Sequence, residues 1–114
     1  MANSDQALPE RRHYGDHRPY PDPPSRLADL TGPTEGVINL PVSIDWGPKR
    51  RYDMGRDSDR RIAYERVLRE AATTEEVARF VNGTILIALW PHLFLPTRIR
   101  QVWEGRFPEL THAA

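Results

Sequence analysis

The sequence predicts an all-α protein, a small bundle of three or four short helices with an extended apolar arm and a disordered proline-rich N-terminal tail. Apolar residues recur at helical spacing after residue 56, and six of the eleven prolines fall within residues 1–36. Between these regions, apolar and other side chains alternate with the period of a strand. The chain therefore divides into a tail (1–36), an extended arm with a basic loop (37–55) and a helical domain (56–114).

The helical domain is organised around residues 84–95, the longest uncharged apolar run in the chain. This run is far shorter than the roughly 20 apolar residues that a membrane span requires, so we expect a buried core helix over residues 84–93. Because it is apolar nearly all round, it must be covered on more than one side. We expect Asn82-Gly83 to separate it from the preceding helix, although continuation through Gly83 would cost only about 1 kcal/mol.

Three further helices are predicted around this one. The first begins at Asp57 or Ser58 and ends near residue 72. The second covers residues 74–81 and opens with a capping box, and the third covers residues 96–105 with a proline at its first position. The side chains that helical spacing buries are Tyr64, Val67, Leu68 and Ala71 in the first, Val77, Phe80 and Val81 in the second, and Ile99, Val102 and Trp103 in the third.

The tail, residues 1–36, is poor in large aliphatic side chains. Its run Tyr20-Pro21-Asp22-Pro23-Pro24 favours an extended polyproline conformation and forbids a long helix. So little apolar area cannot offset the entropy lost on ordering, and we expect the tail to be disordered when alone. Ser25–Leu30 could form one helical turn on a partner.

The arm, residues 37–46, has the alternation of a strand, but no second strand is evident to pair with it. Pro41 lacks an N–H, so the arm can only be an edge strand or an unpaired segment, and residues 47–55 are expected to form a loop. Either the arm packs on the helices and serves stability alone, or it binds a partner, which is our prediction. The predicted partner-binding residues are Ile38, Leu40, Ile44, Trp46, Arg50 and Arg51.

The residue types argue against catalysis and against a metal site. The absence of cysteine excludes disulfide bonds, thiolate ligands and a cysteine nucleophile. The sequence has no triad motif and no phosphate-binding glycine loop. His13 and His17 are spaced i, i+4, but they lack the further ligands that a metal ion needs. We therefore predict no enzyme activity, no metal and no cofactor.

The densest basic cluster runs from Lys49 to Arg61. It could contact a phosphate backbone or an acidic protein surface. Acidic residues interleave with its arginines and the chain has no formal net charge, which favours the protein surface. A helix–turn–helix interpretation of residues 73–93 fails because the second helix offers almost no polar side chains to base edges. A nucleic-acid-binding accessory or regulatory protein remains the alternative.

The first residues give no sign of a secretion signal, because no basic region is followed by an apolar core. No apolar run is long enough for a membrane span. Fifteen of the sixteen basic residues are arginine, a bias typical of a GC-rich genome. The expected location is the cytoplasm of a high-GC bacterium, with no membrane partner.

A longer pattern of residues extends over roughly the last two thirds of the chain, about Val37–Leu110. It consists of Asn39-Leu40-Pro41, Ile44-Asp45-Trp46, Arg50, Tyr52-Asp53, Asp59-Arg60-Arg61, Tyr64, Val67-Leu68-Arg69-Glu70, Leu89-Trp90, Leu93, Leu95-Pro96, Ile99-Arg100 and Trp103. This pattern resembles a group of short bacterial proteins, many of them encoded next to a nucleotidyltransferase-like toxin of the abortive-infection type. The resemblance implies the antitoxin half of a toxin–antitoxin pair, which neutralises its cognate toxin by direct binding and needs no active-site residues.

Overall fold

The computed structural model describes residues 20–111, which fold mainly into helices with one small sheet. In chain order the elements are β1 (Val37–Asn39), β2 (Arg51–Asp53), α1 (Asp57–Glu70), α2 (Thr74–Phe80), α3 (Gly83–Leu89) and α4 (Thr97–Arg106), with 3₁₀ turns at Leu27–Asp29, Trp90–His92 and Pro108–Leu110. The prediction of a mostly helical fold with four helices is confirmed. The fold is not purely all-α, because β1 and β2 pair as an antiparallel sheet. Within residues 20–111, no helix has the length and apolar character needed to cross a membrane.

The apolar run at the centre of the helical domain is buried as predicted. Leu86 is fully buried and Trp90 is 1% exposed. Helix α3 ends at Leu89, earlier than predicted, and a 3₁₀ turn follows. Pro91 explains the early end, since it has no N–H to donate to the carbonyl four residues earlier and its ring would clash with that carbonyl.

Side chains at the corners explain where α2 and α3 begin. The Thr73 hydroxyl accepts a hydrogen bond from the Glu76 N–H at 3.1 Å, and the Glu76 carboxylate accepts one from the Ala72 N–H at 2.9 Å. The Asn82 side chain accepts a hydrogen bond from the Ile85 N–H at 3.1 Å. The bonds to Thr73 and Asn82 satisfy N–H groups that a helix start leaves without an intrahelical partner. The Thr73 cap and the predicted break at Asn82-Gly83 are confirmed, but the predicted capping box is incomplete, because the Glu76 carboxylate binds the N–H of Ala72 and not that of Thr73.

Helix α4 packs on the 3₁₀ turn that follows α3 through two tryptophans. The ring centroids of Trp90 and Trp103 lie 6.3 Å apart, and the Trp90 indole N–H donates to Glu104 at 2.8 Å. The Arg100 guanidinium donates to the carbonyls of Trp90 and Leu93 and lies over the Trp90 ring. This arginine therefore satisfies carbonyls that the early end of α3 leaves open.

One predicted core position on α4 is wrong. Ile99 and Trp103 are buried as expected, but Val102 is 48% exposed. The buried stripe continues from Ile99 and Trp103 to Phe107, so it follows strict i, i+4 spacing. Val102 lies at the edge of that stripe.

Residues 20–36 pack on the helices, which corrects the predicted disorder for this part of the tail; residues 1–19 lie outside the described residues. Leu30 is 2% exposed. The N–H groups of Thr31 and Gly32 donate to the carbonyls of Ala78 and Val81, at 3.0 and 2.9 Å. These carbonyls lie at the end of α2, where the helix leaves acceptors unpaired. The segment is ordered because it provides hydrogen bonds that the short helix needs.

The arm has a partner strand, contrary to the sequence analysis. Val37, Ile38 and Asn39 pair with Asp53, Tyr52 and Arg51 respectively. The Arg51-Tyr52-Asp53 segment carries one apolar residue between two charged ones, so it shows no alternation long enough to indicate a strand. We call residues 37–53, the two strands and the loop between them, the hairpin.

The burial of Leu86 can be tested by substitution. We expect Leu86→Ala to lower the free energy of unfolding by about 2–5 kcal/mol, since it removes buried methyl groups and leaves a cavity. Val102→Ala is the control and should change it by less than about 0.5 kcal/mol. Denaturant melts of the two variants measure the difference. Equal losses would contradict the central position of α3.

The packing of residues 30–32 on α2 can be tested at Gly32. A Cβ atom there would overlap the backbone of Phe80 and Val81, which cannot move as a flexible side chain can. We expect Gly32→Ala to destabilise the protein by about 1–3 kcal/mol in denaturant melts. Gly105→Ala is the matched control, because open space surrounds that position inside α4 and alanine favours the helix by about 0.5–1 kcal/mol. A neutral Gly32→Ala would mean that the segment does not pack there.

Candidate functional site

The structure removes two of the predicted partner-binding residues from the surface. Leu40 is 2% exposed and Ile44 is fully buried, and both belong to the hydrophobic core. The strand period ends at Pro41, whose carbonyl accepts hydrogen bonds from the N–H groups of Ile44 and Asp45 at 2.9 and 3.0 Å. This turn breaks the alternation, because Val42 and Trp46, which a continuous strand would place on the face of Leu40, are exposed while Ile44 is buried. Ile38 is half-buried.

The other predicted residues are exposed on the hairpin. Trp46 is 67% exposed, and Arg50 and Arg51 are exposed beside it in the sequence. Val42, which is not among the predicted partner-binding residues, is 58% exposed on the same loop. We call the exposed side chains of Val42, Trp46, Arg50 and Arg51 the hairpin surface. It combines apolar and cationic groups.

A buried carboxylate fixes the loop that carries Trp46. Asp45 is 2% exposed, and its side chain accepts hydrogen bonds from the Tyr52 hydroxyl and, at 3.0 Å, from the Gly47 N–H. The two residues that flank Trp46 are thus joined through one side chain. Burial, together with the hydrogen bond to Asp45 and the negative charge of that residue, raises the pKa of Tyr52 to about 12.

Helix α1 holds the hairpin through Asp59. Its carboxylate accepts one hydrogen bond from the Asp53 N–H at 2.8 Å and another from the Lys49 ammonium group at 3.0 Å. The backbone hydrogen bond from Asp53 and the bond from Lys49 both lower the pKa of Asp59. The hairpin is therefore fixed to the helical domain at its second strand.

The basic cluster of residues 49–61 divides into engaged and free cations. Lys49 is paired with Asp59, and the Arg60 guanidinium donates to backbone carbonyls and pairs with Asp57. The engaged residues serve the fold. Side chains that make neither a hydrogen bond nor an ion pair within residues 20–111 are Arg50, Arg51, Arg56 and Arg61.

The described residues contain no group of three or more histidine, cysteine, aspartate or glutamate side chains that could hold a metal ion. His92 is exposed in the turn after α3, while His13 and His17 lie outside residues 20–111. The hairpin surface is thus the candidate functional site, because its side chains are exposed and two of them are positively charged. It offers contact groups, and none of its members is a nucleophile or a general base.

Comparison of the chain with protein-family models, with curated proteins and with solved structures finds no match. The hairpin geometry therefore carries the functional argument.

One sequence signal could have located the fixed loop. Asp45 stands two residues before Gly47, the spacing at which an aspartate side chain hydrogen-bonds the backbone in a turn.

The role of the buried carboxylate can be tested with Tyr52→Phe. The variant leaves Asp45 buried without its hydroxyl donor, and we expect a loss of about 1–3 kcal/mol in the free energy of unfolding at neutral pH. Ser43→Ala removes an exposed hydroxyl from the same loop and is the control, with a change below about 0.5 kcal/mol. Chemical denaturation measures both.

The same variant has a second readout at high pH. The unfolded state releases the tyrosine proton near pH 10, whereas folded Tyr52 keeps it until about pH 12, so the unfolding free energy of the parent should fall across that window. Below pH 10 both states hold the proton and the contribution is complete. Tyr52→Phe should flatten the fall, while Tyr64, whose pKa burial also raises, contributes in both proteins. Equal slopes would contradict the assigned role of Tyr52.

Proposed function

We propose that this chain is an antitoxin-like protein that binds and neutralises a cognate nucleotidyltransferase-type toxin by direct protein–protein contact. It acts as a binding protein in the bacterial cytoplasm, without catalytic residues or a cofactor of its own. The observation that carries the proposal is Trp46, 67% exposed on a loop that Asp45 and Tyr52 hold in place. Tryptophan and arginine are the residues most enriched at the energetic centres of protein interfaces.

Rigidity makes this tryptophan suited to binding. Covering its exposed part would remove on the order of 150 Å² of mainly apolar surface from water, worth about 3–4 kcal/mol at about 25 cal/mol per Å². A loop that is already fixed loses little further conformational freedom on association. Because the Asp45 contacts already order the loop during folding, less of the free energy gained by burying Trp46 is offset by entropy lost on binding.

The two exposed arginines of the hairpin surface indicate the chemistry of the partner's surface. Arg50 and Arg51 make no ion pair within residues 20–111, so they keep their capacity for carboxylates. A guanidinium binds a carboxylate in a bidentate manner and gains both strength and orientation from it. Nucleotidyltransferase sites that hold Mg²⁺ present acidic side chains. The resemblance to proteins encoded beside such enzymes supports the same class of partner.

Nucleic acid is the second candidate partner, because four arginines of the cluster are free. Those four are Arg50, Arg51, Arg56 and Arg61. Binding to a phosphate backbone would fall log-linearly with salt, at a slope set by the number of phosphate contacts. An interface that buries Trp46 and pairs only Arg50 and Arg51 with carboxylates would have a shallower dependence on salt. The salt dependence of binding therefore separates the two candidates.

The proposal predicts that a nucleotidyltransferase-like protein is encoded beside this chain, and it is tested by co-expressing the chain with the product of the neighbouring gene and measuring binding. We expect Trp46→Ala, and separately the double variant Arg50→Ala/Arg51→Ala, to bind at least tenfold more weakly, a loss of about 1.4 kcal/mol. Both should melt within about 1 kcal/mol of the parent, because they change exposed side chains.

Phe94→Ala is the control, since it removes an aromatic side chain that is 82% exposed but lies outside the hairpin. It should leave binding unchanged. A Trp46→Ala protein that still neutralises its partner fully contradicts the proposal. So does binding of the parent to nucleic acid with a steep salt slope and no binding to the toxin.

A further inference from the structure

The outer edge of β1 has unpaired backbone groups. The Leu40 N–H donates to the Arg50 carbonyl at 2.8 Å, and the Met54 N–H donates to the Gly36 carbonyl at 2.7 Å. Even-numbered residues of β1 therefore direct their backbone groups toward β2, and odd-numbered ones direct theirs outward. The outward N–H and C=O groups of Val37 and Asn39 make no hydrogen bond within residues 20–111.

The opposite edge of the sheet, along β2, is engaged at Asp53, whose outward N–H donates to Asp59 of α1 at 2.8 Å and whose carbonyl accepts from the Arg56 N–H at 3.0 Å. The outward groups of Arg51 are the part of this edge that makes no hydrogen bond within residues 20–111. The longer open edge of the sheet therefore lies along β1. Beyond the C-terminal end of β1, Pro41 has no N–H to offer a neighbouring strand, so the open edge is limited to Val37 and Asn39.

We infer that a second copy of this chain occupies the open edge, with the two β1 strands antiparallel across a two-fold axis. The axis passes beside Ile38. In this register Val37 of each copy faces Asn39 of the other, and the outward backbone groups of both residues find partners. Two two-stranded sheets then become one four-stranded sheet. The inference goes beyond the proposed function and does not rest on it.

The side chains of β1 fit this register. Ile38 faces the core side of the sheet but is only half-buried, in contrast to its neighbour Tyr52, which is 2% exposed. The two-fold axis places Ile38 directly opposite its own copy, in the pair type where side chains lie closest. The second copy thus covers the apolar surface that the end of the sheet leaves open. Val37, 50% exposed, gains a cross-strand neighbour on the other face.

The charges at the two ends of β1 are also self-complementary. Glu35 is exposed just before the strand, and Arg51 is exposed beside the other end, where it pairs with Asn39. Antiparallel pairing places Glu35 of one copy at the same end of the sheet as Arg51 of the other. The opposite charges of Glu35 and Arg51 at each end of the sheet favour the antiparallel arrangement. A parallel arrangement would instead place Glu35 beside Glu35 and Arg51 beside Arg51.

Assembly stops at two copies. Because both copies use the same β1 edge across a two-fold axis, the contact is isologous and closes at two copies. A paired segment of three residues per copy is short, so we expect an association at the weak end of protein interfaces. The dimer should therefore depend on concentration.

The test is analytical ultracentrifugation of the full chain from about 1 µM to about 1 mM, the range of weak association. We expect a shift from monomer to dimer across this range. Asn39→Pro removes an outward N–H and leaves the β1–β2 hydrogen bonds in place, and it should weaken dimerisation at least tenfold. Asn39→Thr keeps the N–H and is the matched control, with dimerisation close to that of the parent. Circular dichroism checks that both variants fold.

Amide exchange of the parent gives a readout that needs no variant. The N–H groups of Val37 and Asn39 should exchange freely at low concentration and become protected at high concentration, while that of Leu40 is protected at both. A chain that stays monomeric to about 1 mM overturns the inference, and so does a dimer that Asn39→Pro leaves equally strong. Protection of these amides only in complex with the toxin would assign the edge to a toxin strand and also overturn it.

Discussion

The buried carboxylate of Asp45 determines how the hairpin lies on the helices. A charged side chain that is 2% exposed must have its acceptors satisfied, and Tyr52 and Gly47 do this. Meeting this requirement brings the loop back toward β2, so that residues 41–47 do not continue the strand. Within this loop Ile44 is buried in the core and Trp46 is exposed to solvent. The surface proposed for binding results from satisfying one buried charge.

A related constraint governs the helices, two of which have only seven residues. Short helices leave most of their end groups without intrahelical partners, so other parts of the chain must supply them. Tyr64 of α1 accepts the Asn82 N–H at 2.9 Å, and Gly83 donates to the Leu30 carbonyl at 3.1 Å. The proline-rich segment before β1 is ordered because it completes this set of hydrogen bonds.

Elements with local signals were predictable from the sequence, and elements held by distant partners were not. Thr73 and Asn82 cap their helices through bonds that span three residues, so a pattern reveals them. The ordering of residues 20–36 and the strand at Tyr52 depend on contacts with parts of the chain far away in sequence, and no window of sequence contains both partners. For the candidate site, exposure of Trp46 agreed with its predicted role. The burial of Leu40 follows from the pairing of β1 with β2, and the turn at Pro41 separates buried Ile44 from exposed Val42 and Trp46, a difference that the alternation does not show.

The contact between Arg106 and the Pro24 carbonyl joins residues 82 positions apart in the chain, at a distance of 3.2 Å. During synthesis, the segment around Pro24 leaves the ribosome long before α4 does. The hairpin and α1 can form meanwhile, since their contacts are close in sequence, but residues 22–32 must wait for α2, α3 and α4. Contacts of such separation form late and slow the folding of small domains. The nascent chain therefore carries this proline-rich segment unattached until α4 has been synthesised.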